Sequence, residues 1–262
     1  MEQTDLVRNW AYIKPGDYPY YQSNRDGVCG GELAGIIIMG AWLPNPPGHI
    51  CNAYTFDFPV RYQKAQGSDQ KKVHSGERSI LDSIIGAAQQ LERDGCRFIC
   101  SSCGYFGNYQ KEVAASVSIP VCMSSVIQVP WIRVGLRPDQ KIGVICGDAP
   151  HLTYTLFESC GVSREDYDRC VIYGMQDEEE FYKFDKNVGN FDAAKVCTEV
   201  VGVAKRMQKE HPDIGAILLE CTDLPPYAAA VQTATNLPVY DVVGMVKYLY
   251  HAVTQRPYGG FV

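Results

Sequence analysis

Seven short apolar runs, each of strand length, recur from residue 35 onward and alternate with longer segments of helical period. That order points to parallel sheets with crossover helices, since parallel neighbours need a long connection and amphipathic helices supply it. The predicted strands are Gly35–Met39, Arg97–Cys100, Pro120–Met123, Ile142–Cys146, Cys170–Tyr173, Ala216–Leu219 and Pro238–Asp241. The clearest helix spans about Glu77 to Arg93, with Leu81, Ile84, Ile85, Ala88 and Leu91 on one face and Gly95 as its stop. A second runs from about Asp192 to Lys209 and ends before His211-Pro212. Residues 1–33 lack sustained periodicity and are expected to form an extended arm.

The order of elements repeats. Cys103 follows a predicted strand and lies 17 residues before Pro120; Cys221 follows another and lies 17 residues before Pro238. Matched order, residue types and spacing predict an α/β fold of two pseudo-symmetric lobes, each a mainly parallel sheet flanked by helices. The first lobe is expected over 34–135, with the chain returning to it near 238–262, and the second over 136–237. Open α/β sheets build sites at the carboxyl ends of their strands, so the two cysteines should face one cleft between the lobes.

Composition narrows the partners. There are 24 basic residues against 30 acidic ones, and neither sign forms a run able to track phosphates, which argues against nucleic acid. The longest apolar stretch, Ala34 to Leu43, is ten residues against the roughly twenty of a membrane span. The first residues lack the marks of a secretory signal and the cysteine count is an odd eleven, so a reducing cytoplasm with free thiols is expected.

A cysteine between a strand end and a helix start meets unpaired N–H groups and a helix dipole, which is expected to lower its pKa. Two such thiols on opposite sides of one carbon suit proton abstraction and return there, which inverts the carbon. An enolate next to a carboxylate then needs preorganised donors. Backbone N–H groups at the two turns and the hydroxyls of Ser101, Ser102 and Thr222 are available. The scheme requires neither a metal nor another cofactor, and a small carboxylate-bearing substrate is the expected partner.

Leu218-Leu219-Glu220-Cys221-Thr222-Asp223 resembles the second-lobe cysteine motif of the aspartate/glutamate/hydantoin racemase superfamily, and Cys103 stands where its first-lobe cysteine does. The resemblance covers about Gly35 to Tyr248. It implies a two-lobed, cofactor-independent (PLP-independent) enzyme with Cys103 and Cys221 as the acid/base pair. The first motif departs from Cys-Asn-Thr and reads Ser102-Cys103-Gly104-Tyr105-Phe106. Together with Met123–Pro130 and Glu220–Tyr227, it is similar to the branch holding the algal dimethylsulfoniopropionate lyases. That branch uses the same geometry for elimination.

The reading therefore places a racemase or epimerase first. A dimethylsulfoniopropionate-type lyase comes second, and a non-catalytic small-molecule binder is a third possibility. Substrate contacts are expected from Ser101, Ser102, Gly104, Tyr105 and Thr222, from Trp42 after the first strand, from His49 and Asn52 in the loop Pro47–Thr55, and from His151 in the second lobe. The pair Cys100 and Cys103 has no second Cys-x-x-Cys to complete a zinc site, so no metal is expected. The acidic run Asp177–Glu180 reads as a solvated helix start without a role. A homo-oligomer is expected.

Overall fold

The computed structural model describes residues 12–18, 20–21 and 30–262; most of the arm predicted over residues 1–33, Cys29 included, lies outside them. Among the described residues eight strands form two sheets. In the first, β1 (Ala34–Gly40), β2 (Val60–Asp69), β3 (Phe98–Ser101) and β4 (Val121–Cys122) lie in the order β2-β1-β3-β4. In the second, β5 (Lys141–Cys146), β6 (Cys170–Gly174), β7 (Ile214–Leu219) and β8 (Val239–Tyr240) lie in the order β6-β5-β7-β8. Every pairing is parallel. The helices are α1 (Gln70–His74), α2 (Leu81–Arg93), α3 (Gln110–Ser116), α4 (Val129–Val134), α5 (Tyr154–Ser159), α6 (Arg164–Tyr167), α7 (Tyr182–Asp185), α8 (Ala193–Glu210), α9 (Ala228–Thr235) and α10 (Val242–Val253). Among the described residues no helix is long and apolar enough to cross a membrane.

The repeat holds at the level of individual hydrogen bonds. Ser102 N–H donates to Ile37 O and Glu220 N–H donates to Ile145 O, both at 2.8 Å, so each fastens the end of a third strand to its sheet's central strand. Ile99 N–H donates to Pro120 O and Ile217 N–H to Pro238 O, both at 2.9 Å. Each cysteine follows the first of these anchors by one residue, so its position is set by strand register.

Alternation along the strands divides the core. Ile37 of β1 and Ile142, Val144, Ala216 and Leu218 of the second sheet share one apolar cluster with Tyr105, Phe106, Val126 and Val129, which fuses the two lobes. Ile145, Ile217 and Leu219 face the other way onto α8 and α9. The helix α2 buries Ile84, Ala88 and Leu91. Gly35 permits its approach, because a Cβ there would lie 3.0 Å from Leu91. Gly95, at φ +98°, ends the helix as expected.

Two elements depart from the sequence reading. The strand β2 was not predicted: it is an edge strand paired only with β1, largely solvated and polar, with neither alternation nor an apolar run. At the other end, β8 pairs with β7 in the second sheet, and α10 carries the chain back, burying Val242, Met245 and Val246 against Ala34, Ile36 and Phe98.

Candidate active site

The loops that follow β1, β3, β5 and β7 meet at a cleft lined by both cysteines together with Ser102, Tyr105, Gly147, Asp148, Thr222 and Asp223. Met39, Leu43, Phe181, Tyr182 and Phe184 supply its apolar walls, and Gln70, His74 and Gln176 complete it. Among these described lining residues none is lysine or arginine. A second cavity lies on the other side of Asp223 and is lined by His49, Cys51, Tyr62 and Asn45.

Both thiols are held well above the ordinary value for cysteine, contrary to the expectation from a helix dipole. For Cys103 the cause is burial, reinforced by the Glu220 carboxyl; for Cys221 it is burial, then Asp223 and Glu220. Each cysteine is followed by a 3₁₀ turn, Gly104–Tyr109 or Pro225–Tyr227, so the first α-helix begins several residues beyond it, at Gln110 or Ala228. One opposing contact recurs in both lobes: Tyr105 N–H donates to the Cys103 sulfur, and Asp223 N–H to the Cys221 sulfur.

Cys221 has a further partner. Its Sγ–H donates to Asp223 Oδ2 at 3.4 Å, and the other carboxylate oxygen lies 3.2 Å from His49 Nε2. His49 Nδ1 accepts the Cys51 N–H at 3.0 Å, which requires that nitrogen to be unprotonated. In this conformation the ring therefore donates from Nε2 to Asp223. Burial opposes charging of His49, but its contacts with Asp223 and Cys51 outweigh it and raise the ring's pKa. Cys221 and His49 thus both donate to the Asp223 carboxylate, which lines both cavities.

Several predicted contacts are structural. Ser101 is 2% exposed and its hydroxyl donates to the carbonyls of Met123 and Cys103, which ties β3 to β4 and keeps it out of the cleft. Trp42 is 71% exposed; its N–H bonds Asn187 Oδ1 and its ring covers Gly189, so Leu43 takes the expected place in the wall. Asn52 caps the turn Ala53–Thr55, accepting from Tyr54 N–H and donating to Asn45 O. His49 reaches Asp223, not the cavity that holds the thiols. His151 stands half exposed at the rim with its Nδ1 2.6 Å from Asp148 Oδ2. Ser102 and Thr222 do line the cleft, and Thr222 also crosses the lobes, its hydroxyl donating to Ser102 O at 2.6 Å.

Tyr105 lines the cleft and clasps the second lobe: its hydroxyl donates to Asp148 O at 2.6 Å and accepts Asp148 N–H at 2.8 Å. Gly104 has no room for a side chain, since a Cβ would lie 1.7 Å from Glu220 Oε1. Glu220 itself is fully buried, and neither carboxyl oxygen has a hydrogen-bond partner among the described residues. Burial pushes its pKa up to about 8. The acidic run is not wholly solvated either: Glu180 is 3% exposed, pairs with Lys183 and accepts Asp192 N–H, fastening the segment that carries Phe181 and Phe184 into the cleft. Asp223 and Asp148 drew no role from the sequence because a surface-type residue reveals its use only through partners distant in the chain; Asp223 at least stood inside the second motif.

No family model matches the chain. It is 34% identical over 230 residues to a dimethylsulfoniopropionate lyase of Durusdinium sp. clade D, covering 84% of this chain and 75% of that protein. It is 30% identical over 239 residues to dimethylsulfoniopropionate lyase 7 of Emiliania huxleyi (strain CCMP1516), covering 88% and 70%. Among solved structures it resembles an aspartate racemase homologue from Pyrococcus horikoshii OT3, with a TM-score of 0.54 at 18% identity over 86% of this chain and 100% of that one. By sequence this chain belongs to the dimethylsulfoniopropionate lyase family, and it shares the fold of the aspartate racemase homologue.

Proposed function

We propose that this protein is a carbon–sulfur lyase that cleaves dimethylsulfoniopropionate to acrylate and dimethyl sulfide. The observation that carries this reading is the 34% identity to a lyase of that name, over a cleft that has two thiols and no lining lysine or arginine. Racemisation, placed first on sequence alone, has support only from likeness of fold.

Cys221 is the base, as a thiolate. It takes the proton from the carbon next to the substrate carboxylate; the released electron pair forms the carbon–carbon double bond, and the carbon–sulfur bond breaks to expel neutral dimethyl sulfide. The substrate enters as a zwitterion and acrylate leaves as an anion, so the thiolate's charge passes to the product and the thiol keeps the proton. Asp223 then takes that proton from the thiol and releases it to solvent, since it lines both cavities. Cys103, kept as a thiol, and the backbone donors at the two turns stabilise charge on the substrate carboxylate.

The raised thiol pKa values fit a cationic substrate. A sulfonium 4–5 Å from a thiolate stabilises it by about 3–4 kcal/mol at an effective dielectric constant near 20, which raises the thiolate fraction roughly three hundred- to a thousandfold. Tyr105, Phe181, Tyr182 and Phe184 line the cleft and supply aromatic rings of the kind that attract such a cation at their faces. The arriving cation therefore increases the share of the cysteine present as base. Racemisation remains the second reading, since both thiols line one cleft.

Proton NMR in deuterium oxide separates the two. Vinyl signals of acrylate appearing from dimethylsulfoniopropionate support the lyase. Loss of the α-hydrogen signal from an amino acid, with no new product and no acrylate from the sulfonium, overturns it.

A further inference from the structure

We infer that His74, Asp148 and His151 form a binding site for a divalent transition-metal ion at the rim of the cleft. His74 ends α1 in the first lobe, whereas Asp148 and His151 lie in the turn after β5 in the second, so a bound ion would join the lobes. One ligand atom from each residue lies within 4.8 Å of the other two. The Nδ1 atoms of His151 and His74 are 2.6 and 3.8 Å from the same Asp148 oxygen. Those separations bracket the roughly 3.3 Å between tetrahedral ligands whose metal bonds are about 2.0–2.1 Å long. Two imidazoles and a carboxylate suit zinc and cobalt better than calcium or magnesium, which favour oxygen.

The supports of the site are in place as well. The His74 ring packs on Tyr105 with centroids 4.0 Å apart, and Tyr105 holds both backbone groups of Asp148 through its hydroxyl. These contacts fix the orientation of two ligands, as supporting residues do around metal centres. His151 is half exposed and gives an ion access from solvent, while His74 and Asp148 line the cleft. Three protein ligands leave a fourth position, open to water or to a carboxylate within the cleft. The inference stands on this geometry alone and does not depend on the lyase reading.

The test titrates the full-length, metal-stripped protein with Co²⁺ and reads its absorption spectrum. The expected result is one equivalent bound, with visible d–d bands and no thiolate-to-cobalt charge-transfer band, which separates this site from the chain's cysteines. Binding should weaken at least about tenfold in His151→Ala and in Asp148→Asn, with fold checked by circular dichroism. A thiolate signature, affinity unchanged in both variants, or no binding at millimolar Co²⁺ overturns the inference.

Discussion

Replacing Glu220 by Gln should change how stability depends on pH. The carboxyl is fully buried and unpartnered, with its pKa raised from 4.5 to about 8 by burial. Between those values the folded protein keeps the proton that the unfolded chain has released, so the unfolded state binds fewer protons and stability falls as pH rises. The slope is about 1.4 kcal/mol per pH unit, and the accumulated loss above pH 8 is about 5 kcal/mol. Below pH 4.5 both states are protonated and the loss vanishes. Gln has nearly the same shape and does not titrate. Urea unfolding of both proteins from pH 4 to pH 9 isolates the effect, because other groups cancel in the difference. The stability of the natural protein minus that of the variant should decline between about pH 5 and pH 8 and level off on either side. A flat difference across that range would refute the claim that a neutral carboxyl is buried here.

Other consequences follow from the same contacts. Gly104→Ala places a methyl 1.7 Å from Glu220 Oε1 beside the Cys103 thiol, and overpacking of this kind costs about 1–3 kcal/mol; thermal unfolding should show it, and Gly104→Ala combined with Glu220→Ala should recover part of the loss. Tyr105→Phe leaves Asp148 N–H and C=O without their clasp, and should cost about 1–3 kcal/mol in urea unfolding and lower turnover. Asp223→Asn removes the acceptor for the Cys221 proton; kcat should drop, by about tenfold to a thousandfold on the scale of acid–base assistance, with KM changing less, as steady-state kinetics with dimethylsulfoniopropionate would measure.

The two-lobed plan was legible because strand-length apolar runs and a 17-residue cysteine-to-proline spacing recur in both halves. Register then explains why Cys103 and Cys221 correspond: each follows a residue bonded to its central strand by an equivalent hydrogen bond. The edge strand β2 was hidden because one partner and a solvated face leave it without apolar alternation. Trp42 misled for the opposite reason, since a large apolar residue in a loop suggests a pocket wall, yet here it covers Gly189 at the surface. The link from Asp223 to His49 spans 174 positions in the chain, and no local pattern carries such a pair. Thiol acidity was misjudged because burial and neighbouring carboxyls are properties of the assembled cleft and outweigh the short turns that follow each cysteine.

The most direct measurement is headspace gas chromatography of dimethyl sulfide released from dimethylsulfoniopropionate by the unaltered protein, Cys103→Ala and Cys221→Ala, each checked for fold by circular dichroism. The account predicts release in step with acrylate by the unaltered protein and none above background from Cys221→Ala, with Cys103→Ala strongly reduced. Full release by a folded Cys221→Ala variant, or none from the folded natural protein, would contradict it.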